Sequence, residues 1–144
     1  MFTLVLLFAF FLDSIPSGWI TLKDQKKVCQ VGAPGDFKAD PSFPGLGKGP
    51  GDAVEVAVYS STSPVKPIME SVGKMMNIEK FVENSTTRVF YQAKQLKLKD
   101  GRLSTQWTVK VPRTGGQCFA TINVSPGGQD DLVKKIAATI APAN

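Results

Sequence analysis

Seven cationic side chains, Arg88, Lys94, Lys97, Lys99, Arg102, Lys110 and Arg113, fall in one stretch of 26 residues that holds a single acid, Asp100. That stretch carries +6 in a chain whose net charge is +5, so the other 118 residues sum to −1. The chemistry open to such a cluster is ionic attachment. Ammonium and guanidinium groups steer an acidic surface toward them and hold it, and salt screens the attraction. Lys94, Lys97, Lys99 and Arg102, with Lys110 and Arg113, are therefore the candidate partner-binding residues. Covalent chemistry has far less to work with. The chain has no histidine and two cysteines. Acid–base catalysis would need two tuned groups in one cleft, yet the twelve acids are scattered, mostly in loops and at helix ends. A thiolate at Cys29 or Cys118 would lack an imidazole base. No Cys/His metal spacing and no G-x-x-x-x-G-K-[ST] loop occurs. The residues point to a binding protein that is not an enzyme, with no cofactor and no metal.

Something must hold these cations in one place, and the sequence offers a hairpin. Lys99-Asp100-Gly101-Arg102 carries the Asp-Gly turn signal. After it, Leu103, Thr105, Trp107, Val109 and Val111 alternate with Ser104, Gln106, Thr108 and Lys110, the period of a half-buried strand. Before it, Val89, Tyr91 and Ala93 lie on one face, and Leu96 and Leu98 then take over at even positions, which implies a bulge near Lys94. Cys118, Ala120, Ile122 and Val124 form the inner face of a further strand. Basic residues beside Phe90, Tyr91 and Trp107 also resemble a nucleic-acid stacking platform, but Tyr91 and Trp107 fall on faces expected to be buried.

The remaining elements frame that hairpin. At 144 residues, 42% hydrophobic and 20% charged, the chain reads as one globular domain. Residues 1–12 contain ten strongly apolar side chains and no charge. At ~1.5 Å per residue a helix of that length is short of a ~30 Å bilayer core, and the segment reads as a buried first strand, a targeting remnant or a lipid-facing anchor. Residues 13–144 form the domain proper. Residues 20–31 read as extended and partly charged, and residues 32–52, with six glycines and four prolines, as a long loop. Val54-Glu55-Val56-Ala57-Val58-Tyr59 is a strand. Pro64 and Pro67 open an expected helix over residues 65–81, with Ile68, Val72 and Met76 as its apolar stripe. Asp130 and Asp131 start a last helix at its positive end, packed through Leu132, Ile136 and Ile140. Cys29 and Cys118 permit one disulfide, although two buried free thiols are slightly favoured. This order of elements predicts an α+β fold, an antiparallel sheet with helices packed on its faces.

The chain resembles the PsbP family, the lumenal extrinsic subunit of photosystem II and its relatives. Ile15-Pro16-Ser17-Gly18-Trp19 is similar to the turn after that family's first strand. Val54 through Ser61, followed by Pro64 to Phe81, resembles its strand, Ser/Thr-rich turn and helix. Val89-Phe90-Tyr91-Gln92-Ala93 through Lys99-Asp100-Gly101-Arg102 to Trp107 resembles its hairpin. Cys118 to Asn123 and the helix beyond fit its closing elements. The resemblance implies an αβα sandwich around a central antiparallel sheet. It also implies a non-enzymatic extrinsic subunit of a photosynthetic membrane complex, peripheral to the membrane in the thylakoid lumen of a chloroplast, with a membrane protein complex of acidic lumenal surface as partner and no nucleic acid. A lumenal or periplasmic assembly factor, or a carrier of a small ligand between sheet and helix, is the alternative.

Overall fold

The computed structural model describes residues 14–143, so the apolar segment at residues 1–12 lies outside the described residues. Two antiparallel sheets share one core. The smaller is built from β1 (Ile20–Lys23), β2 (Cys29–Ala33) and β11 (Ala141–Pro142), with β2 in the middle. The larger has the spatial order β3 (Lys38–Ala39), β4 (Leu46–Lys48), β5 (Val54–Ser61), β10 (Gly116–Val124), β9 (Leu103–Arg113), β7 (Val89–Ala93) and β6 (Ile78–Asn84). The short β8 (Leu96–Lys97) also pairs with β9. Two α-helices, α1 (Glu70–Met75) and α2 (Asp130–Ala137), and a short 3-10 helix at Pro50–Asp52 complete the elements of the described residues.

The centre of the large sheet follows from period-two patterning. Cys118, Ala120, Ile122 and Val124 are all buried, and register places them beside Val111, Val109, Trp107 and Thr105 of β9 and Ser60, Val58, Val56 and Val54 of β5. This face, joined by Phe90 of β7, packs on Leu22, Val31 and Ala33 of the small sheet and on Val133, Ile136 and Ala137 of α2. Full burial of one such aliphatic or aromatic side chain stabilises by about 1.5–3 kcal/mol, so this shared face is the main source of stability. At one end β9 turns into β10 through Thr114 and Gly115, where Gly115 takes φ +80°, a region glycine enters without a Cβ penalty. The next residue must also be glycine, because a Cβ at Gly116 would run into the Ser61 carbonyl.

Two ties join the two sheets, and a third fixes the end of α2 to the small one. Cys29 of β2 and Cys118 of β10 form a fully buried disulfide. Buried Asp24, in the β1–β2 turn, accepts hydrogen bonds from the Val28 and Cys29 amides at 2.8 and 2.9 Å and from the Ser60 hydroxyl of β5 at 2.7 Å. The Thr139 hydroxyl, just after α2, donates to the Ile136 carbonyl and accepts from the Gly32 amide, both at 2.7 Å.

The expected α+β arrangement, an αβα sandwich with helices on both faces of the sheet, is overturned. Of the described residues 45% are in strands and 13% in helices, a β-rich fold. The cause lies in two segments. Over residues 65–81 the chain has no regular structure up to Met69, whose backbone is extended, the helix lasts six residues, and Asn77 at φ +56° ends it. Ile78–Asn84 then pairs with β7 as an edge strand. Ile68 is partly buried, but Val72 and Met76 are exposed. Residues 20–31, expected as one extended segment, fold back as the β1–β2 hairpin and supply the second sheet. The Gly/Pro segment at 32–52 is likewise structured, since β3 and β4 pair with each other and β4 with β5. The favoured free thiols are bonded to each other.

The 89-residue separation of the cysteines makes the bridge a strong restraint on the unfolded chain. Replacing both (Cys29→Ala with Cys118→Ala) is expected to cost roughly 2–5 kcal/mol, read as a lower urea midpoint, and an unchanged midpoint would show that packing alone holds the sheets. A pH effect follows from Asp24. Burial pushes its carboxyl up, but the Ser60 hydroxyl and the amides of Cys29, Val28 and Lys26 together outweigh this and hold it below the ordinary value of 3.8. The unfolded chain therefore takes up the proton first, and the contribution is complete above 3.8 and is lost as pH falls through the lowered native value. Urea midpoints compared at neutral and acidic pH should show wild type losing more stability in acid than Asp24→Asn, and parallel losses would contradict this role.

Candidate docking hairpin

The site is the connection between β7 and β9. The Lys94 amide donates to the Asn77 carbonyl at 2.8 Å, which fixes the base of the connection against the end of α1. β7 pairs with β9 only from Trp107 to Lys110, and β10 reaches only to Thr105. Leu103 and Ser104 therefore extend past both neighbours and pair with Lys97 and Leu96 alone. The tip is closed by the Leu98 amide donating to the Arg102 carbonyl at 2.8 Å and the Gly101 amide to the Leu98 carbonyl at 2.9 Å. Gly101, at φ +86°, makes the turn with open space around it. Asp100 accepts from the Arg102 amide at 3.0 Å and from Arg102 Nε at 2.6 Å. The Arg102 amide and then its guanidinium hold the Asp100 carboxyl below the usual range. This pair is exposed and serves to shape the turn.

Four of the six expected binding residues gather here. Lys94, Lys97, Lys99 and Arg102 are all exposed, and against them stands Asp100 alone, a net +3 over nine residues. The structure does not bring the other two to them. Lys110 is half-buried in the middle of β9, between Val89 and Phe119 in register. Arg113 closes the opposite end of β9, donating to the carbonyls of Thr114 at 3.0 Å and Ser61 at 3.3 Å. Eleven residues of extended chain place it about 35 Å from Arg102. Arg88, which added to the charge of the segment, pairs with Glu83 at 3.7 Å and lies 5.2 Å above the Phe90 ring, where it covers the edge of the core.

Hydrophobic residues that the sequence placed inside are found at this surface. Leu103 was expected on the inner face of its strand, but it is 45% exposed, and Leu96 is 64% exposed. The methionines expected in a helix stripe are also outside, Met75 at 84%. The available signal was the alternation Lys94, Leu96, Lys97, Leu98, Lys99 on a strand too short to be covered, together with the prolines that cut the helix down. Behind the hairpin an open cleft of about 380 Å³ is lined by Glu55, Gln106, Asn123, Leu96, Leu98 and Arg102. Among the described residues there is no group of three or more side chains suited to a metal ion, and no helix long and apolar enough to cross a membrane.

No family model and no curated protein matches the chain. A crystal structure of a protein from Bacteroides thetaiotaomicron VPI-5482 is similar to it at a TM-score of 0.44 and 13% identity, over 90% of this chain and 44% of that one. The chain thus spans less than half the length of that protein, and a likeness at this score assigns it neither a fold nor a function.

Proposed function

We propose that this chain is a non-enzymatic docking domain, attached electrostatically to an acidic surface through the β8–β9 hairpin. The observation that carries the reading is the exposed set Lys94, Lys97, Lys99 and Arg102 on a turn that extends past both neighbouring strands. A single exposed ion pair contributes only about 0.2–1 kcal/mol. The strength of such a site is therefore the joint action of several cations, and its signature is steep weakening with salt.

The buried disulfide supports an oxidising compartment, with which a lumenal or periplasmic location agrees. A photosynthetic membrane complex as the particular partner rests on the PsbP-like motifs alone, because the αβα sandwich that would have supported it is absent. The carrier alternative needs one pocket lined by Trp19, Trp107, Tyr91 and the methionines, but half-buried Trp19 borders an open cleft with Pro16, Lys134 and Thr139, away from the others. Trp107 and Tyr91 are buried in packed clusters and Met69, Met75 and Met76 are on the surface, so docking is the better supported of the two.

The test is retention of the full chain on a polyglutamate surface under a salt gradient. The variant Lys97→Gln, Lys99→Gln, Arg102→Gln should elute at lower salt than Lys26→Gln, Lys27→Gln, Lys134→Gln, which removes the same charge from other exposed positions. Asp100→Asn, which deletes the one acid of the tip, should elute later than wild type. Equal elution of the two triple variants would mean that net charge alone governs retention, and the reading would fail.

A further inference from the structure

Resting on the docking reading, we infer that the acidic surface taken by this hairpin is an anionic lipid bilayer, into whose interface the tip inserts. Exposed leucines stand between the cations. Leu96 is 64% exposed, Leu98 37% and Leu103 45%, and they alternate with Lys97, Lys99 and Arg102 along β8, the turn and the start of β9. Met75, 84% exposed at the end of α1, stands two residues before Asn77, whose carbonyl accepts from the Lys94 amide at the base of the hairpin.

A site made only for carboxylates on a protein has no use for leucines left in water. Protein interfaces enrich aromatic residues, methionine and arginine at their centres, and disfavour lysine. The tip carries three leucines and, with Lys94, three lysines to one arginine, Arg102, and no aromatic residue. That composition matches the boundary between headgroups and acyl chains. There leucines enter the apolar side, lysine stems lie along it, and the ammonium groups reach back to lipid phosphates. Charge complementarity selects the lipid, since a net +3 tip is drawn to an anionic leaflet and each cation near it raises binding about fivefold.

The experiment is co-sedimentation of the full chain with two kinds of vesicle, phosphatidylcholine alone and phosphatidylcholine with about one third phosphatidylglycerol, alongside retention on polyglutamate. The wild-type chain should pellet with the anionic vesicles and remain in solution with the neutral ones. The variant Leu96→Ser, Leu98→Ser, Leu103→Ser keeps every charge, so it should be held on polyglutamate as wild type is, yet lose at least about tenfold in vesicle binding. Its urea midpoint checks that these exposed positions leave the fold intact. In a second variant, Leu98→Trp, fluorescence should shift to the blue on adding anionic vesicles. Polyglutamate retention without vesicle binding would overturn the lipid inference, leave the docking reading standing and turn it toward an acidic protein. Vesicle binding by the serine variant equal to wild type, with no blue shift, would overturn insertion. Loss of retention on both surfaces would remove the docking reading itself.

Discussion

Two sheets with one apolar face each must be held against one another, and everything else in this molecule depends on how that is done. The tie runs through β10. It is the strand between β5 and β9 in the large sheet, and its Cys118 is bonded to Cys29 in the middle strand of the small one. Ser60, the β5 register partner of Cys118, donates to Asp24, so a covalent and a charged hydrogen-bonded tie stand side by side. With the sheets fixed, Trp107, Ile122, Val56 and Val31 are sealed between them. The inner half of β9 is thereby immobilised, and its other end becomes a rigid support for what projects beyond the sheet.

The positive charge of the chain is divided between two uses. Arg88 and Arg113 are spent on the fold, one on Glu83 and the Phe90 ring, the other on two backbone carbonyls. Among the described residues the four cations of the hairpin make no such internal attachments, apart from the Arg102–Asp100 pair that shapes the turn. Their mutual repulsion over nine residues is tolerated because water screens it at exposed positions. An opposing acidic surface would relieve it.

Much of the large sheet was legible because a strand with one buried face declares itself by alternation. Trp107, Val109, Ala120 and Ile122 stand where that pattern puts them. The second sheet was not legible, since β1, β2 and β11 are short and β11 pairs with β2 from the far end of the chain, Ala141 opposite Gln30. Such a pairing leaves no local trace. The helix over 65–81 failed for a different reason. Ile68, Val72 and Met76 satisfy a helical period, but Pro67 disfavours a helical backbone at Lys66 before it, and Ile78 and the residues after it find a partner strand in β7. For the site, the turn and its lysines could be read directly. The exposure of Leu96, Leu103 and Met75 could not, because a hydrophobicity pattern takes burial for granted and only the edges of the finished sheet reveal which positions remain uncovered.

The most direct test of the central claim, that the protein docks through the β8–β9 hairpin, is backbone amide NMR of the isotope-labelled chain titrated with a soluble polyanion. Docking through this hairpin predicts shifts concentrated in residues 94–104, with neighbours at the end of α1, and their disappearance as salt is added. Shifts centred on Lys26 and Lys27, or on Lys134 and Lys135, or spread evenly over every exposed cation, would contradict it.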